Sequence, residues 1–327
     1  MDHNSCIDLS AAELFLQDHN LVNLSSYSSI DRFGARHLAE HFPEPLLHLG
    51  ISSIDLACAS ELKKFQGRVS LPDLTELDEA TSACLASFDL PVICNQKEAG
   101  FMIGQKLGVL DQQMASKLVS FARKQNGGII HTGCFLEINS SACNEIVAIE
   151  NMAVLSQIRK LSPDCSSILG RKKSISFLNL EEFNSADAGN FASGGCLSLI
   201  LNSLEHIDSS DLEILISGNI SFLGLDGIKK LNIDQAEVLS KTKKSLFLSL
   251  NGIKDLPLDI AELLVDLEGE RALLGGTISL MGLSSITVEL AEVFSNYNGT
   301  LLRLSPKSEM CGEVIAELSK NKQIKFL

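Results

Sequence analysis

The side chains best placed for chemistry form one short string, His37-Leu38-Ala39-Glu40-His41. Two histidines four positions apart share one face of a helix and can chelate zinc, and a glutamate beside them can act as the base in a hydrolysis. A zinc-dependent hydrolase using His37, Glu40 and His41 is therefore one expectation, with His48 on the next expected strand as the nearest further ligand. Against it, Leu38 occupies a core position of the repeat described below. That leaves the histidines beside it on an outer helix, with no cleft assigned. His131 and Cys134 flank another expected strand but lack partners to complete a metal set. Gly170-Arg171-Lys172-Lys173-Ser174 lacks the G-x-x-x-x-G-K-[ST] spacing of a phosphate loop and reads as a basic turn. Ser60 and Lys63, three apart on an expected helix, read as solvated polar residues. No catalytic, metal or cofactor-binding set is assigned, no cofactor is expected, and a non-catalytic protein is the leading expectation.

Any such side chain must be positioned by the elements around it, and those elements repeat. Leu223, Leu225, Ile228, Leu231, Ala236 and Leu239 recur as Leu248, Leu250, Ile253, Leu256, Ala261 and Leu264. They recur again as Ile278, Leu280, Leu283, Ile286, Ala291 and Phe294. With the second leucine of each L-x-L as the anchor, similar offsets follow Leu24, Leu49, Leu71, Gly104, Thr132, Leu155, Phe177 and Leu201, mostly 22 to 25 residues apart. The longer gaps are 33 residues from Leu71 to Gly104, 28 from there to Thr132, and 30 from Leu250 to Leu280. Repetition at this period implies one solenoid domain over 1–327. Its parts are an N-terminal capping helix within 1–20, with Ser10 and Glu13 as a capping box, and about twelve repeats over 21–321, with an irregular stretch at 89–101. A terminal strand over 322–327 closes it.

Within a unit, the anchor and the residue two before it alternate with polar or small residues, which is strand periodicity. Ala, Leu and Phe then fall about 11, 14 and 17 positions later, in helical steps. About 23 residues hold one short strand and one short helix, too few for a pair of helices. Gly227, Gly252 and Gly282, two places past their anchors, are expected to supply a turn conformation. The fold class is an α/β solenoid with a curved parallel sheet and helices on its outer side.

The strings Leu223-Gly224-Leu225, Leu248-Ser249-Leu250 and Ile278-Ser279-Leu280, with their followers, resemble the leucine-rich repeat family. More narrowly, Leu248-Ser-Leu250-Asn-Gly-Ile253-Lys-Asp-Leu256, then Ala261-Glu262-Leu263-Leu264, is similar to a short bacterial variant with the consensus L-x-L-x-G-L-x-x-L-x-x-x-x-A-E-x-L. The resemblance is close over 197–304 and looser over 22–191. It implies a right-handed horseshoe with the sheet on the concave face and short helices on the convex face, and a protein-interaction role. The family's usual Asn or Cys three residues after the anchor is replaced here by Leu or Ile, so its asparagine ladder is expected to be absent.

With 41 acidic against 27 basic residues, a net charge of -14, no Trp and two Tyr, the surface repels phosphate backbones and offers few rings for stacking bases. Nucleic acid is excluded as a partner class. Nine widely spaced cysteines, an odd number without a C-x-x-C pair, read as free thiols in a reducing compartment. Met1-Asp2-His3-Asn4 does not open a signal peptide, and no uncharged apolar run approaches the roughly 18 residues that span a bilayer. For a chain that has not lost a leader, a cytoplasmic location without a membrane span is expected.

Residues three before, one before and one after each anchor should face the concavity. They include Phe101, Ile103, Ile129, Met152, Phe222, Phe247, Met281 and Arg303, with few charges among them. A broad apolar face of this kind marks an interaction site, so the expected partner is another protein. Packing of these side chains on one another within the concavity is the plainer alternative. A third reading is a homo-oligomer formed along the terminal strand at Ile324–Phe326, although Lys320, Lys322 and Lys325 are charges that discourage edge pairing.

Overall fold

A computed structural model describes residues 6–125, 128–241, 246–265, 276–306 and 308–327. The chain divides into two compact units, Met1–Arg159 and Lys160–Leu327. Both are built from short parallel strands alternating with helices, a solenoid-like α/β fold. Residues 1–5 of the expected N-terminal cap lie outside the described residues.

The second unit follows the repeat closely. Strands Ser174–Phe177, Ser198–Leu201, Phe222–Gly224, Phe247–Ser249, Thr277–Leu280, Leu301–Leu304 and Ile324–Phe326 each pair in parallel with the next. The anchors and the residues two before them, from Ile175 and Phe177 to Leu302 and Leu304, are at most 1% exposed. Between strands run the helices Pro163–Leu169, Ser185–Gly194, Ser209–Ser217, Ile233–Ser240, Leu258–Val265, Val288–Ser295 and Gly312–Leu318. Ala188, Ala236, Ala261 and Ala291 on these helices are 0% exposed, so a methyl group is all that separates each helix backbone from the core. The basic string is less solvated than a surface turn, because Lys172 is 1% exposed.

Helix starts are written periodically as well. Seven places past an anchor stand Asp31, Asp78, Asn139, Ser162, Asn184, Asn232 and Thr287, and each is an N-cap whose side chain accepts a backbone N–H of the first turn. Asp8 does the same for helix Leu9–Gln17, taking the Ala11 N–H at 2.8 Å, so the cap is Asp8 rather than the Ser10–Glu13 box. Asp55 and Asp78 are held below the ordinary carboxyl value by these bonds, from the Cys58 and Thr81 amides respectively.

The first unit departs from the pattern in three ways. Leu24 is buried as expected, but in a tight turn, Leu24–Ser26, and not in a strand. A second parallel ladder, kept in the second unit only as the bridge between Ser285 and Glu309, forms where a bend was expected, about five and six places past the anchor. Cys6–Ile7 pairs with Ser29–Ile30 and Val109–Leu110 with Glu137–Ile138, while Ser53 bridges Glu76. Two residues per rung are too few to show an alternation in sequence.

The third departure corrects the anchor at Gly104. Gly104, Phe101 and Ile103 lie on a helix, Lys97–Leu107, not on a strand. The strand position is Val92 and Cys94, both 0% exposed, with Ile93 bridging Ser70; Cys94 comes 23 residues after Leu71 and so restores the period. The helix begins within the stretch expected to be irregular, 89–101, and runs past it to Leu107, and its glycines explain its seat. A Cβ at Gly100 would collide with the Gln157 side chain, and one at Gly104 with the Cys134 carbonyl. Only hydrogen lets this helix lie so near.

The repeated glycine past the anchor works in the same way and not as a turn. Gly227, Gly252 and Gly282 do not have positive φ. Instead a Cβ at Gly252 would strike the carbonyl of Asp226, and one at Gly282 that of Asn251. The successive bends nest backbone against backbone. Gly252→Ala should therefore lower stability by about 1–3 kcal/mol in urea unfolding, as overpacking does; an unchanged midpoint would mean the bends are free to spread.

One charged cluster braces the first unit's helices. Glu61, 3% exposed on helix Leu56–Leu62, accepts from Arg32 Nε at 2.9 Å and Arg36 Nη2 at 2.9 Å, both on helix Arg32–His41, and from Lys64. The Arg36 bond first, then those from Lys64 and Arg32, hold its carboxyl well below the ordinary 4.5. A depressed carboxyl contributes stability that is complete above that ordinary value and fades as pH falls through the folded one. Glu61→Gln should lower the urea midpoint at neutral pH, with the gap to the wild type closing towards about pH 2. A gap independent of pH would show that shape, not charge, makes the contact.

Candidate interaction face

The strand face opposite the buried anchors can be assembled row by row from the second unit's register. Three places before the anchor, Ser198, Phe222, Phe247, Thr277 and Leu301 are Cα partners in turn. One place before it, Ile200, Gly224, Ser249, Ser279, Arg303 and Lys325 align. Phe222 and Phe247 are half-buried, and their rings stack with centroids 4.6 Å apart and planes 16° from parallel. On the other side of Phe247 lies Arg303, its guanidinium carbon 4.8 Å from the ring centroid. Arg303 reaches there across the strand Thr277–Leu280, where Thr277 and Ser279 are small enough to be passed over.

One place after the anchor runs a polar ladder. Asp226 Oδ1 accepts the Asn251 N–H at 2.8 Å and the Ser249 hydroxyl at 2.6 Å. Asn251 Oδ1 in turn accepts the Met281 N–H at 3.0 Å and the Ser279 hydroxyl at 2.8 Å, while its Nδ2 donates to Ser249 Oγ at 2.9 Å. Each side chain thus ties its strand to the next one. The expected loss of an asparagine ladder three places after the anchor stands beside a different ladder on the opposite face. Its trace in sequence is the run Asn202, Asp226, Asn251 at equivalent positions. The ladder stops at Gly224, which has no hydroxyl to offer Asn202, and Asn202 Oδ1 is left buried without a partner.

The sequence-predicted residues of the first unit do not form one surface. Ile103 is 0% exposed in the core, while Phe101 on the same helix lies under Arg159, 4.1 Å from its guanidinium carbon. Ile129 is 48% exposed, and Met152 is half-buried with its carbonyl taking the Ile130 N–H. Of the eight, Phe247 is brought into contact with Phe222 on one side and Arg303 on the other, and Met281 joins them only through its backbone bond to Asn251.

No spacing or motif points to Arg68. It is 2% exposed, donates from Nε to the Pro91 carbonyl at 2.8 Å, and leaves Nη2 without a partner. Burial, then the Arg68 charge, pulls His131 down to about 4, so this histidine is neutral near pH 7. The Cys134 thiol donates to the Val92 carbonyl at 3.4 Å, and the interaction of the Cys94 and Cys134 thiols lowers Cys94 and, together with burial, raises Cys134.

The zinc string does not gather a site. His37 and His41 face each other edge to face at 4.6 Å on helix Arg32–His41, and Glu40 lies 4.0 Å from His41 Nε2. His48 is engaged elsewhere, its Nδ1 3.1 Å from Ser70 Oγ. Among the described residues no group of three or more His, Cys, Asp and Glu side chains could hold a metal ion. A hollow of about 330 Å³ lined by Lys106, Asp111 and Lys117, and another of about 360 Å³ at Asp255, Ser285 and Glu289, contain neither histidine nor cysteine. Among the same residues no helix is long and apolar enough to cross a membrane.

No protein-family model matches the chain, and no curated protein matches it. Among solved structures, an internalin (inlF) from Listeria monocytogenes str. 4b F2365 is similar at 14% identity, covering 98% of this chain and 94% of that one, with a TM-score of 0.34. The fold described above rests on strand registers and burial, independently of that likeness.

Asn251→Ala would strand the Met281 N–H and the Ser279 hydroxyl together. It should cost about 1–3 kcal/mol in urea unfolding. A loss below a few tenths would mean that water replaces the ladder without penalty.

Proposed function

We propose that the chain is a non-catalytic interaction module that receives another protein on the strand face of its second unit. The observation that carries this reading is the Phe222–Phe247 stack with Arg303 laid against it, half-exposed rings on a sheet face whose other side is fully packed. Stacked aromatics and arginine are the side chains that dominate binding energy at protein interfaces. Phe222, Phe247 and Arg303 are the centre of the face, with Met281 at its edge. Phe101, Ile129 and Met152 belong to the first unit and are kept as separate candidate contacts, not as part of this face. Ile103, packed in the core, is withdrawn from the set.

The parallel strand–helix repeat supports a leucine-rich-repeat-like horseshoe, read as a single right-handed solenoid over 1–327, in which this face lines the concavity. Free thiols at all nine cysteines support a reducing, cytoplasmic setting. Zinc hydrolysis at His37, Glu40 and His41 is the weaker reading, because the pair of rings pack on each other and His48 turns to Ser70. Metal analysis of the purified protein should find no stoichiometric zinc; one zinc per chain, lost in His37→Ala, would restore the hydrolase.

The binding reading is tested with the double variant Phe222→Ser, Phe247→Ser, checked for an unchanged far-ultraviolet circular dichroism spectrum. Proteins captured from the native cell by the wild type should be lost or much reduced with the variant. Identical captures from a folded variant would place the interaction elsewhere.

A further inference from the structure

The partner's chemistry can be read from the one cation at the centre of this face. Among the described residues the Arg303 side chain makes its cation–π contact with Phe247 and neither a hydrogen bond nor an ion pair, and its Nε is buried and unpartnered. Arg32 and Arg36, by contrast, share Glu61, and Arg68, though its Nη2 is unpartnered, donates from Nε to the Pro91 carbonyl. A guanidinium laid flat on a ring keeps its N–H groups in its own plane, where a carboxylate can take two of them side by side.

The surrounding charges point the same way. Lys325 is the Cα partner of Arg303 on the neighbouring strand, so two cations sit next to each other. In a chain with 41 acidic and 27 basic residues, the outward positions of these seven strands carry one acid, Asp226. Its Oδ1 is already occupied by Ser249 and Asn251. An acid beside Arg303 would satisfy it internally, and none is present among the described residues.

We infer that Arg303, backed by Lys325 and seated on Phe247 of the Phe222–Phe247 stack, is a recognition site for a carboxylate of a partner polypeptide, with an apolar partner side chain beside it against Phe222. This rests on the binding reading above and specifies its ligand as an acidic-apolar peptide segment.

A random 12-residue phage-displayed peptide library, panned on the immobilised full chain, provides the probe. Selected peptides should be enriched in Asp or Glu next to Leu, Ile or Phe. A synthetic copy of one should bind about ten-fold or more weakly to Arg303→Gln, lose a similar factor when its own acid is made an amide, and regain only part of its affinity on Arg303→Lys. Selected peptides without acid enrichment that ignore Arg303→Gln, but are lost on Phe222→Ser with Phe247→Ser, would overturn the carboxylate site and leave the face standing. Peptides indifferent to both variants, or no enrichment at all, would overturn both.

Discussion

Strands in a parallel ladder stand about 4.8 Å apart, and that spacing governs this molecule. Equivalent residues of successive units become nearest neighbours, so each unit can bury its apolar side only against copies of itself. Inside, the result is the uninterrupted run of buried anchors. Outside, the same distance sets Phe222 and Phe247 at 4.6 Å, the separation at which two rings stack. It also lets Asp226 reach the Asn251 amide and Asn251 the Met281 amide. The glycines at 227, 252 and 282 keep the bends as close as the strands require.

How far the sequence could be read follows from the same geometry. Positions two residues apart on a strand have opposite fates from those between them, so a regular repeat reveals both the core and its reverse. That is why the buried set of 223–304 and the outward Phe222 and Phe247 were legible. Anchors of other types, Thr132 and Phe177, were still legible, but the reading failed at Cys94. Cys94 does the work of a leucine, and the helix Lys97–Leu107 behind it offered the spurious strand that put Phe101 and Ile103 in the wrong place. Contacts between side chains two strands apart leave no periodic trace at all. Arg303 over Phe247 depends on Thr277 and Ser279 being small, a condition on residues that touch neither group through a named bond.

Charge is distributed by role and not evenly. Acidic side chains are used as helix caps, as with Asp31, Asp78 and Asp111, or as a brace, as with Glu61. On the strand face the polar work is done by one aspartate, Asp226, and one asparagine, Asn251, which take backbone amides, with Ser249 and Ser279 donating to them. A surface with a strongly acidic total retains an aromatic face with a basic corner.

The caps have a consequence of their own. In the first unit five of the helix caps are aspartates, at 8, 31, 55, 78 and 111, whereas the side-chain caps of the second are Ser162, Asn184, Asn232 and Thr287. Asp55 and Asp78 are favoured in their ionised form by the amides they hold, and a proton removes that preference. A hydroxyl or a carboxamide has no such proton to gain. Acid therefore removes a preference that holds the starts of helices Leu56–Leu62 and Glu79–Ala86, where the Ser, Asn and Thr caps of the second unit have no proton to gain.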